Sequence, residues 1–127
     1  MIAATPSVAF ASLPDGWHSY QASGAIATSW DYAPGQAPGG PADHMPRGGI
    51  IVNVTFPTVA QRFKSLQLVL PKHPTTLLEG TKDTPEYRIE GRTHGVNVLI
   101  SVDIRNVRPT AAERRKAQRV VSSIRFR

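Results

Sequence analysis

Apolar and polar positions alternate along most of the chain. Ile50, Val52, Val54 and Phe56 fall on one side of an extended segment and Ile51, Asn53 and Thr55 on the other, with Pro57 closing the run. A longer alternation sets Val96, Val98, Ile100, Val102 and Ile104 against Asn97, Leu99, Ser101, Asp103 and Arg105. One face of that strand is expected to be buried, and Leu99 implies partial cover on the other. Tyr87 to Arg92 precedes it, and Thr93-His94-Gly95 supplies a hairpin turn in which Gly95 accepts positive φ. Nearer the N-terminus, Val8 to Leu13 reads as a short strand closed by the turn Leu13-Pro14-Asp15-Gly16. Trp17 to Tyr20 and Ala25 to Tyr32 then read as a second hairpin, with Ile26, Thr28, Trp30 and Tyr32 on one face.

The period changes near the C-terminus. Pro109-Thr110-Ala111-Ala112-Glu113 is a capping box, and Ala117, Val120, Val121 and Ile124 follow at helical spacing. This predicts an amphipathic helix over 110–123, with Phe126 tucking in the end. Thr58 to Gln61 has the same capping spacing and predicts a short turn or helix, followed by a strand at Leu66 to Leu70 bounded by Pro71. Two loops separate these elements, one from Pro34 to Gly49 and one from Pro71 to Pro85; nine of the sixteen residues in the first are Pro or Gly. The expectation is an α+β fold: one domain over 1–127, with a curved antiparallel sheet of about six or seven strands packed by a C-terminal α-helix.

Composition narrows the function. The chain has 127 residues, 40% hydrophobic and 19% charged, which fits a folded core. It has no cysteine, which removes disulfide scaffolds, thiolate metal sites and cysteine nucleophiles. No apolar run approaches the ~20 residues of a membrane-spanning helix, so no transmembrane segment is expected. The net charge of +6 is uneven: up to residue 61 Arg47 is the only base against Asp15, Asp31 and Asp43, whereas the remainder holds fourteen Lys and Arg against six acids. Arg114, Arg115, Lys116 and Arg119 form the densest basic group, and could serve a polyanion such as nucleic acid or an acidic membrane surface.

Reactive constellations are absent from the local sequence. His18, His44, His73 and His94 show no i, i+4 pairing, so no metal and no cofactor is expected. No G-x-S-x-G elbow supports a serine nucleophile, and a small hydrolase rests only on scattered Ser, His and Asp residues. The aromatic residues carry more information. Trp17, Tyr20, Trp30 and Tyr32 make up four of the nine aromatics and lie beside the Gly/Pro loop that contains Met45 and Arg47. Trp17, Trp30, Tyr32, Met45 and Arg47 are therefore the candidate contact surface for a protein or small ligand.

Several of these motifs carry a resemblance. Tyr87-Arg88-Ile89, Gly91-Arg92, Val96 to Ile104, Pro109-Thr110 and Ile124-Arg125-Phe126, with Met45-Pro46-Arg47-Gly48-Gly49 ahead of an apolar strand, resemble a class of uncharacterised actinobacterial extracytoplasmic domains. The element order is similar to the PsbP/Mog1-type α+β fold. That resemblance implies a location outside the cytoplasmic membrane and supplies no catalytic residue. The first residues, Met1 to Thr5, contain no basic region followed by an apolar one, so no signal peptide is read in them and a cytoplasmic location stays open. The sequence thus points to a non-catalytic binding or accessory module, with polyanion binding as the alternative and a small hydrolase as the second.

Overall fold

The computed structural model describes residues 5–21, 24–30, 45–77 and 83–127. Among these the strands are β1 (Val8–Phe10), β2 (His18–Gln21), β3 (Ala25–Thr28), β4 (Ile50–Thr55), β5 (Thr76–Leu77), β6 (Pro85–Thr93), β7 (Val96–Ile104) and β8 (Ile124–Phe126), and one helix, α1, spans Ala111–Ser122. The fold is mixed α+β and mostly sheet. Strands β2-β3-β4-β7-β6-β5, in that order, form a six-stranded antiparallel sheet, and β1 pairs with β8 in a separate two-stranded one.

The alternation sets the faces. Val52 is paired with Val102 and Ala27, and Val54 with Ile100 and Ala25, so these side chains share the inner face. Ile50, Val98 and Ile104 join them in the buried cluster, together with Ala117, Val120 and Val121 of α1 and Ile124 of β8. Ala117, Val120 and Val121 of the stripe expected of the helix are therefore the surface it buries, whereas the fourth expected member, Ile124, lies beyond the helix end and reaches the core from β8. Each valine and isoleucine in this layer contributes about 1.5–3 kcal/mol of burial. Two alanines on the inner face of β3, rather than the neighbouring Ile26, leave room for β1 to lie against that strand.

Local chemistry closes the elements as the sequence implies. Thr110 Oγ1 accepts from the Glu113 N–H at 3.0 Å and Glu113 Oε1 accepts from the Thr110 N–H at 2.8 Å, completing the capping box. At the β6–β7 turn His94 and Gly95 have φ of 52° and 78°, the pair of left-handed residues a two-residue hairpin requires.

Two expectations fail, each for its own reason. Residues 58–64 are not helical, and Leu66 to Leu70 is not a strand; the latter region makes only an isolated bridge between Ser65 and Arg92. Thr58 to Gln61 has the spacing of a cap but is followed by exposed Arg62 and Lys64 instead of an apolar stripe, so no packing offsets the cost of helix nucleation. Leu66, Leu68 and Leu70 do alternate inward onto the core, while Val69 is 65% exposed. Side-chain amides take the place of a ladder. Asn97 Oδ1 accepts from the Phe63 N–H at 3.0 Å and its Nδ2 donates to Gln61 O at 2.6 Å. Gln118 of α1 accepts from the Leu70 N–H at 2.6 Å and donates to Leu68 O at 3.0 Å. Leu66 crosses β6 at Gly91, where a Cβ would lie 2.4 Å from Leu66 Cα, so only glycine admits this crossing. The segment from Pro71 to Pro85, expected as loop throughout, contributes the edge strand β5.

Candidate functional site

Two tight turns of one design frame the candidate site. In Pro14-Asp15-Gly16-Trp17 the Trp17 N–H donates to Pro14 O at 3.2 Å, and in Pro46-Arg47-Gly48-Gly49 the Gly49 N–H donates to Pro46 O at 2.8 Å. Each has proline first and a glycine with φ near +80° third, which leaves Asp15 and Arg47 at the second corner. The second turn is fastened to the end of β7: the Gly48 N–H donates to Arg105 O at 2.8 Å, the Arg105 N–H donates to Gly49 O at 3.0 Å, and the Arg105 guanidinium donates to Met45 O. Arg47 is thus an exposed cation on a fixed backbone.

Trp30 is placed by the end of β3. The Ser29 N–H donates to Ile50 O at 3.0 Å, Ser29 Oγ accepts from the Ile50 N–H at 2.9 Å, and Thr28 Oγ1 donates to Trp30 O at 2.7 Å. Strand β3 therefore ends at Thr28, short of the Tyr32 expected from alternation. The cleft between these turns and the first turns of α1 has a volume of about 330 Å³; Trp17, Trp30, Asp15, Arg47, Glu113 and Lys116 are the side chains that give it its chemistry. Two aromatic faces stand among two cations and two anions. Glu113 is already engaged, since its Oε1 accepts from the Thr110 N–H and also from Asn106 Nδ2 at 3.0 Å.

Trp17, Trp30 and Arg47, proposed together from sequence, are brought together. Met45 is not in the wall: it is 2% exposed and packs beneath the turn against Gly49. Tyr32, and residues 34–44 of the long loop, lie outside the described residues. The basic group of the helix is divided by its own period. Successive residues turn by about 100°, so Lys116 enters the aromatic cleft, Arg114 and Arg115 line a groove on the other side of α1, and Arg119 stays exposed in neither. Arg47 also borders a smaller cavity of about 180 Å³ beside Asp83 and Arg105. There the Arg105 guanidinium, donating to Asp83 at 3.3 Å, holds that carboxyl below the usual carboxylate range.

One feature went unnoticed in the sequence. Asp103 faces away from the core, yet it is only 8% exposed. It pairs with Glu86 across the β6–β7 hairpin and with Ile51 on β4, and Thr28 and His18 continue the same row. Glu86 is ion-paired to Arg88 at 2.8 Å, whereas Asp103 Oδ1 has no hydrogen-bond partner among the described residues. Burial, followed by the charge of Glu86 and opposed by Arg88, pushes the Asp103 carboxyl up to about 7. The hint in the sequence was an acid flanked by Val102 and Ile104 near the end of a long, mostly apolar strand.

Among the described residues no three His, Asp or Glu side chains gather as a metal ion would require, and no helix is long and apolar enough to cross a membrane. No family model, curated protein or solved structure matches the chain.

Proposed function

We propose that the chain is a non-catalytic binding module that takes a polypeptide partner in the cleft formed by Trp17, Trp30, Arg47 and Lys116. The supporting observation is convergence: two tryptophans and two cations, drawn from two turns, the end of a strand and a helix, meet in one cleft. Tryptophan and arginine are the residue types that dominate binding energy at protein interfaces. The charge balance favours a polypeptide over a polyanion, because Asp15 and Glu113 in the same walls repel a chain of phosphates. Hydrogen-bonded turns on both sides mean that little ordering has to be done on binding. The extracytoplasmic setting, and a PsbP/Mog1-type relationship, rest on the sequence resemblance alone.

The test is selection from a displayed peptide library against the whole protein. Peptides selected on the wild type should bind Trp30→Ala and Arg47→Ala at least about tenfold more weakly, the size expected for losing one interface anchor. The melting temperature should stay nearly constant. Equal binding by Trp30→Ala would refute the reading, and unfolding of that variant would assign Trp30 to the core.

A further inference from the structure

The groove on the opposite side of α1 has different chemistry. Leu70 and Pro71 line one wall and Ala111 the other, giving it an apolar floor, and its volume is about 270 Å³. Its width is set by Gln118, whose amide ties the backbone at Leu68 and Leu70 to the helix. The groove is therefore built before any ligand arrives.

Its charged side chains, Lys72, Arg114 and Arg115, are all cations. Among the described residues the ion pairs are Arg88–Glu86 and Arg105–Asp83, so none of these three is paired. Arg114 Nε is moreover buried without a hydrogen-bond partner among the described residues. Without a protein acceptor among those residues on any of its nitrogens, the Arg114 guanidinium keeps its remaining N–H groups for an incoming oxyanion. Three unpaired cations around an apolar floor are complementary to a molecule with an anionic head and an apolar body.

We propose that this groove binds a small organic anion, with a phosphate or carboxylate head held by Lys72, Arg114 and Arg115 and an apolar body resting on Leu70, Pro71 and Ala111. The planar guanidinium fork suits two oxygens of one head group, and the lysine supplies a point charge. At ~30 Å³ per water, the space equals about nine waters. That admits a ring or a short acyl segment. This site is separate from the aromatic cleft and does not depend on its reading.

The experiment titrates phenyl phosphate into the whole isotopically labelled chain and follows backbone amide resonances. Saturable shifts are expected at Leu70, Lys72 and residues 111–118, with inorganic phosphate binding about tenfold more weakly because it has no body for the floor. Lys72→Gln and Arg115→Gln replace exposed residues and should each lower phenyl phosphate affinity about tenfold, the range for one charge-assisted contact, without moving the melting temperature. Arg114→Gln is read beside its own melting temperature, because Arg114 acts on the buried Tyr87. Vesicles containing phosphatidylglycerol separate the sources. Binding that phenyl phosphate competes away, and that the Lys72→Gln/Arg115→Gln variant loses, assigns a lipid head group; phenyl phosphate binding without vesicle binding assigns a soluble anion. Absence of saturable groove shifts with every probe, shifts confined to Trp17 and Trp30, or a double variant that binds like the wild type would each overturn the proposal.

Discussion

Asp103 should make the protein less stable as pH rises through the range where most proteins are insensitive. Its carboxyl is buried against Glu86 and Arg88 on β6 and Ile51 on β4, with Thr28 and His18 further along the row. Its folded value of about 7 lies above the ordinary aspartate value of 3.8. The folded state thus binds this proton more tightly than the unfolded chain, and unfolding between those two values releases it. The stabilisation is fully present below about 3.8, declines as pH rises, and is gone above about 7. With 1.36 kcal/mol per unit, the swing is about 4 kcal/mol, a large share of the 5–15 kcal/mol typical of a domain. Urea unfolding followed by tryptophan fluorescence at pH 4.5, 6 and 8 reads it directly. With about 2 kcal/mol per molar of urea, the midpoint should fall by about 1–2 M across that interval. Asp103→Asn keeps the side chain neutral, so the variant should gain on the wild type by about 4 kcal/mol at pH 8 and by only about 1 kcal/mol at pH 4.5. Titration of groups that do not interact with Asp103 cancels in that difference. A wild-type-minus-variant difference that stays constant with pH would refute the reasoning.

Thr110→Ala removes the side-chain half of the capping box and should cost about 1 kcal/mol by urea unfolding; adding Glu113→Ala should cost less than the sum of the two single changes, because both act on the same helix end. Gly91→Ala places a Cβ 2.4 Å from Leu66 Cα. It should destabilise by about 1–3 kcal/mol, and hydrogen exchange should quicken at the Leu66 and Arg92 amides, which donate to Arg92 O and Lys64 O across this crossing. Exchange that quickens evenly over the whole chain would show that the crossing is not a local unit.

The helix was the most legible element because its evidence is local. A capping box and a stripe at helical spacing lie within about a dozen residues, and Ala111–Ser122 with caps at Thr110 and Ser123 matches the expected 110–123. The β6–β7 hairpin was legible for the same reason, since its turn and both arms are contiguous. The Leu66–Leu70 run misled because alternation reports which side chains are buried and not whether the backbone has a strand beside it. Here the Leu68 and Leu70 backbone is met by Gln118, 50 and 48 positions away in the chain. The candidate site was half legible. Trp17, Trp30 and Arg47 stood out by residue type, whereas Lys116 joined them, and Arg114 and Arg115 left for the other groove, only through the phase of a helix docked in one orientation.

Periodicity, caps and turn residues, all written in short stretches of chain, were enough to set the class of fold and which side chains lie inside. Their cause is steric and hydrophobic, and it acts on neighbours. Which polar groups meet was decided by the strand order and by the side of the sheet on which α1 rests. That pairing turned Asp103 from an ordinary acid into a buried proton-binding group beside Glu86, and it sorted the cations into one aromatic cleft and one apolar groove, because electrostatic interactions follow distance and burial rather than position in the chain.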